Sequence, residues 1–211
     1  SLGRSVVKAR WAFAGAIAAA ILVPTSASAH LMSTGMGPVF DGISHFGLSP
    51  EDFLPVVIFG LFAGLRGTAH SRLSLASVAP FWFVGGMAAM TGFGLPDLAL
   101  SSGTAALFML IGILLALIAP LPPGLCAGLG AGLGLIRGMA DLSGVGQSVP
   151  HSLSLLGMSA SVCCVFASAA SLTIPLKRAW VIVAARVGGS WIAALGLLLA
   201  GWILRYGAFI R

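Results

Sequence analysis

The sequence predicts an all-α fold: a polytopic transmembrane helical bundle of about six spans behind a signal peptide. Three observations lead there. The 211 residues are 58% hydrophobic and 8% charged, against roughly 25% charged in a soluble domain, and mean hydropathy is +1.06. Too little polar surface remains to keep such a chain monomeric in water. The apolar runs are long and do not alternate polar with apolar, which selects helices over a β-barrel. Finally, the length leaves room for one bundle and for no sizeable extramembrane domain.

The elements follow in order along the chain. Arg4, Lys8 and Arg10 form a positive start, Trp11 to Val23 is apolar, and Ala27-Ser28-Ala29 fits a small-x-small cleavage site. Residues 1–29 therefore read as a signal peptide, with His30 as the mature N-terminus in the periplasm and the bundle in a bacterial inner membrane. Residues 30–50 read as an extracytoplasmic metal-capture segment able to fold back as a half-helix, and residues 51–211 as the transmembrane bundle. Ser49-Pro50-Glu51 has the pattern of a helix start: serine as cap, proline at the first position, an acid next.

The first span runs from about Asp52 to Leu65. After a short loop with Arg66, His70 and Arg72 come spans at about Ser74–Phe93, Thr104–Ile118, Gly124–Met139, Leu153–Ile174 and Ala179–Leu204. Prolines 120, 122, 123 and 175 end helices. In the fourth span glycines recur every four residues on two ridges, Gly124/Gly128/Gly132 and Gly130/Gly134/Gly138, a pattern that lets membrane helices approach closely. Gly60 and Gly64 repeat it in the first span.

Eleven Lys and Arg face five Asp and Glu, a net charge of +6. The basic residues stand singly or in pairs, as membrane-flanking charges do, and form no phosphate-binding stripe, so nucleic acid is not an expected partner. Arg66, Arg72, Lys177 and Arg178 fall on proposed inner loops, and Arg137, Arg205 and Arg211 on the outer side, a slight inward bias. The three cysteines, Cys126, Cys163 and Cys164, lie in apolar runs without a CxxC pair, and read as small buried hydrophobes. No nucleophile–base–acid relay and no nucleotide loop occurs, so no enzyme is expected.

Ionisable groups concentrate near the start of the mature chain. His30, Asp41, His45, Glu51 and Asp52 offer imidazole and carboxylate, the ligand set of borderline divalent metals such as nickel, cobalt, zinc or copper. Asp41 and His45 are four apart and share a helix face. The competing reading is a solvated loop with an acid at a helix N-terminus. His70 and His151 read as interfacial loop residues. Arg186, seven residues into the last span, is expected to pair with a buried acid, Asp52 or Asp141, with snorkelling as the competing reading.

The chain resembles the HupE/UreJ hydrogenase/urease accessory membrane proteins, in particular their divergent second branch. The resemblance is carried by GMGPVFDGISH (35–45), LSPEDFLPV (48–56), GLFAGLRG (60–67) and RVGGSWIAALGLLLAGW (186–202). It implies a signal peptide, six or seven spans and a link to nickel or cobalt uptake. On the signature His-Pro-x-x-Gly-x-Asp-His of the main branch, the first histidine falls on His45, the Asp on Glu51 and the last histidine on Asp52. On a second segment, His-Gly-x-Ala-His-Gly-x-Glu, both histidines are replaced, by Arg137 and Asp141. These two are four apart and can pair across one helical turn.

The leading expectation is a membrane permease for a divalent transition metal ion, with a carboxylate/histidine site near the outer face. The alternative is a non-transport accessory or assembly subunit on the same scaffold. No tightly bound cofactor is expected; the divalent metal ion is cargo. The remaining expected partners are the lipid bilayer and either a second copy of the chain or an accessory protein.

Overall fold

The computed structural model describes residues 34–143, 149–175 and 179–207. All regular structure among them is helical: α1 (Pro38–Leu48), α2 (Pro50–Arg66), α3 (Thr68–Met90), α4 (Asp97–Leu117), α5 (Pro123–Asp141), α6 (Val149–Thr173) and α7 (Ala179–Tyr206). The signal-peptide segment and His30 lie outside the described residues.

Helices α2 through α7 fall where six spans are expected, but only four of them, or five with a bent pair, qualify as spans among the described residues. Among the described residues, α3, α4, α6 and α7 are each long and apolar enough to cross a membrane, and the pair α1–α2, bent by 74°, passes as one more broken span or re-entrant loop. The chain is a multi-pass membrane protein. Helix α5 is interrupted by many glycines and one arginine and does not meet the same measure.

Two of the loops are shorter than the sequence suggests. Only Gly67, at φ 108°, separates α2 from α3, so His70 and Arg72 are helical residues. A positive φ costs glycine little, which lets one residue separate the two helices. Helix α4 starts at Asp97 behind Pro96, seven residues earlier than the apolar run suggests, because Leu98 to Gly103 mixes serine and glycine into a helical segment.

Helix α2 is central; it touches all six of the other described helices. Beyond it, α3 lies along α5, α4 along α7, and α6 against α1, α2 and α3. Small residues make these approaches. A side chain on Gly60 or Gly64 would overlap α6 at Phe166–Ala170 and Thr173, and one on Gly112 would overlap α7 at Gly189 and Ala193. The last turns of α7 run beside the first turn of α2. Pro50, Glu51 and Leu54 share an apolar groove with Leu195, Leu198 and Trp202.

The two glycine ridges of α5 are not equivalent. Gly130, Gly134 and Gly138 sit against the α3 backbone at Ser74, Val78 and Trp82, whereas Gly124, Gly128 and Gly132 have open space where a side chain would stand. The sequence does not distinguish the ridges, since both have the same spacing; what decides is which faces α3. Cysteine burial also divides: Cys126 is buried, Cys163 half-buried and Cys164 exposed.

Gly138→Leu or Gly134→Leu should therefore lower stability by about 1–3 kcal/mol through overpacking. Gly128→Leu and Gly132→Leu should leave it unchanged. Thermal unfolding of the detergent-purified protein measures both, and equal losses on the two ridges would contradict this packing.

Candidate metal centre

A sharp break in the chain builds the site. Pro50 has no N–H to continue α1 and starts α2 at its first position, with Ser49 extended between them (φ −95°, ψ 100°). Ser49 caps α2 through its backbone carbonyl, which accepts the N–H groups of Asp52 and Phe53 at 3.0 Å; its side chain makes no cap bond. Asp52 thus sits in the first turn of α2, where the helix dipole favours a carboxylate. The bend returns His45, near the end of α1, to within 4.0 Å of it.

Asp52 is 1% exposed. Its partner is Arg137 on α5, which is 4% exposed. Arg137 Nε donates to Asp52 Oδ1 at 2.7 Å, and Nη2 donates to that same oxygen. Nη2 also donates to Asp141 Oδ1 at 3.2 Å, the pairing across one turn that the spacing predicts. Nη1 lies 3.5 Å from Thr104 Oγ1 of α4. Trp82 of α3, fully buried, donates its indole N–H to Asp141 Oδ2 at 3.1 Å. Phe46 packs edge-on against that indole, 5.8 Å between ring centres, and fixes the approach of α1.

Both guanidinium donors to Asp52 use Oδ1. Oδ2 is buried and has no hydrogen-bond partner. Such an atom costs about 1–3 kcal/mol or more when charged. It faces His45, the most accessible member of the group at 21% side-chain exposure. One ligand atom each from His45, Asp52 and Asp141 lie within 4.8 Å of one another. Ligands held at ~2.1 Å in a tetrahedral site stand ~3.4 Å apart, so the widest pair has to close by up to about 1.4 Å for the three to share a cation.

Of the residues singled out in the sequence, the structure brings His45 and Asp52 together and adds Asp141. Asp41 is held elsewhere, accepting bonds from the Thr34 backbone N–H at 2.5 Å and hydroxyl at 2.7 Å. Glu51 is exposed and lines the apolar groove beside α7. His30 falls outside the described residues. Trp82 and Thr104 carry no sequence signal, because an indole or a hydroxyl in an apolar span looks like packing. Asp141 had a signal: it is one of only five acids in the chain.

Arg186 is a correction. It is exposed on α7 and makes no ion pair among the described residues, while Arg137 holds both acids proposed for it. Arg137, an outer flanking charge by its place in the sequence, is inside the bundle. Neither does His70 lie in a loop; it stands in the first turn of α3, its Nε2 2.9 Å from the Leu121 carbonyl oxygen.

The family model described as HupE / UreJ protein matches residues 18–199. The chain belongs to the HupE/UreJ family. No curated protein and no solved structure matches it. Family membership and the apolar helices together fit a metal-related role in a membrane.

Removing one partner from a buried ion pair strands a charge and costs about 3–5 kcal/mol. Arg137→Met should therefore destabilise the detergent-solubilised protein by that order, whereas Arg186→Gln should change it by less than about 0.5 kcal/mol. Unfolding curves of the two variants side by side check the assignment; comparable losses would return Arg186 to the core.

Proposed function

We propose that this HupE/UreJ protein is a permease for a divalent transition metal ion, and that His45, Asp52 and Asp141 form its ion site near the outer face. The observation that carries the reading is the buried, unpartnered Asp52 Oδ2 facing the His45 imidazole within a three-residue ligand group. Imidazole with carboxylates suits nickel, cobalt, zinc or copper. Permeation needs a site that binds and also releases, and few, partly mobile ligands favour release.

Charge decides whether a dication can enter. With both carboxylates ionised, one guanidinium leaves one negative charge uncompensated. At about 4 Å and an effective dielectric of about 20, the guanidinium repels a dication by about 8 kcal/mol. Each carboxylate attracts it on the same scale at that distance, so two carboxylates leave a surplus. An inward membrane potential adds about 4.6 kcal/mol per 100 mV for a double charge. We place the site on the periplasmic side of a bacterial inner membrane. With Arg137 withdrawn from the outer count, the inward bias of Arg66, Arg72, Lys177 and Arg178 over Arg205 and Arg211 is stronger.

A second reading, a non-transport accessory or assembly subunit, draws on one observation: Arg137 already holds one oxygen of each carboxylate, Oδ1 of Asp52 and Oδ1 of Asp141.

The test is uptake of nickel, cobalt, zinc or copper, offered in turn to sealed vesicles holding the purified protein, beside empty vesicles. Wild-type uptake of one ion is expected. Asp52→Asn and His45→Ala should each reduce it at least about tenfold, the loss of a charge or a ligand from a three-ligand site. Glu51→Gln and Asp41→Asn, which lie off the cluster, should retain it. No protein-dependent flux of any of the four ions under an imposed potential would reject the permease in favour of the accessory subunit.

A further inference from the structure

We infer that Arg137 is a tethered counter-ion: its guanidinium holds the Asp52–Asp141 carboxylate pair between ions, and a divalent cation binds only by displacing it. The inference rests on the reading of His45, Asp52 and Asp141 as a divalent-ion site, and it concerns what occupies that site when no ion does.

The hydrogen-bond pattern motivates it. An arginine given wholly to a structural pair commonly engages both oxygens of a carboxylate with two parallel bonds. Arg137 instead places two donors on Oδ1 of Asp52 and leaves Oδ2, buried and unpartnered, toward His45. Its Nη2 bridges from that oxygen to Asp141 Oδ1, so the guanidinium spans the two carboxylates that a cation would also need. One oxygen of the ligand set is thus unpartnered while the others near it are held by the guanidinium.

The surroundings offer a fixed carboxylate and a second acceptor. Trp82 fixes Asp141 through Oδ2, so that carboxylate keeps its place whichever cation neutralises it. Thr104 Oγ1, at 3.5 Å from Nη1, is a loose neutral acceptor onto which a displaced guanidinium can lean. A long, flexible side chain rooted on α5 can make that shift without moving the helix. Two buried carboxylates with no counter-charge would be strongly unfavourable, and a site that empties in every cycle needs that charge replaced each time. A side chain does this at once, because it is always present at high effective concentration. The same competition weakens ion binding and so speeds release.

The test measures binding and stability, not flux. Zinc and nickel ions, each alone, are titrated into the full detergent-purified chain, read by equilibrium dialysis with elemental analysis and by thermal unfolding. Arg137→Gln should lower Tm without metal, bind zinc or nickel at least about tenfold more tightly than wild type, and regain Tm as metal is added. Arg137→Lys, which keeps a cation and hence the fold but loses the fork, should gain about threefold. Adding Asp141→Asn to either should abolish the gain. Unchanged or weaker affinity in both single variants, or a Tm loss that metal does not recover, would overturn the inference and leave Arg137 a structural residue. Tightened binding in Arg137→Gln without vesicle flux in wild type would keep the counter-ion and reject the permease. Flux in wild type with unchanged Arg137→Gln binding would do the reverse.

Discussion

One buried guanidinium holds this bundle to a single arrangement. Arg137 draws Asp52 at the start of α2 and Asp141 at the end of α5 to one point, and reaches Thr104 of α4. With Trp82 on Asp141 and His45 beside Asp52, five helices meet there. In a medium without water each of these polar groups has to find its partner inside the protein. Apolar surfaces in lipid slide past one another at little cost; a buried ion pair does not. It sets the register of α2, α4 and α5 in a way that leucines and alanines cannot.

Close backbone contact does the rest. Helix α2 touches all the other described helices, and Gly60 and Gly64 let α6 lie against its backbone. Helices α3 and α5 meet along Gly130, Gly134 and Gly138, the face that also carries Arg137 inward, since Arg137 follows Gly134 by three residues and Gly130 by seven. The glycine ridge and the arginine are one device: the first brings α5 close enough to α3 for the second to be enclosed.

The helices were legible in the sequence because apolar length and proline punctuation are local signals. The break at Ser49-Pro50 and the place of His45 and Asp52 on either side of it were legible for the same reason. What lay beyond reach depended on orientation. Arg137 and Arg186 are both lone arginines in apolar runs, and nothing local says which one faces inward. The two glycine ridges of α5 are likewise identical in spacing. Asp141 could be read as a partner for Arg137, but its meeting with His45 and Asp52 joins α1, α2 and α5, a contact between positions far apart in the chain.

The groove shared by Glu51 and Trp202 fixes a relation between the end of the chain and the site. The last turn of α7 and the first turn of α2, which carries Asp52, lie at the same end of the bundle. A fluorescent or enzymatic reporter joined behind Tyr206 would therefore sit in the compartment toward which His45 opens. Its accessibility to an impermeant reagent would tell which solution supplies the site, without disturbing any residue in it.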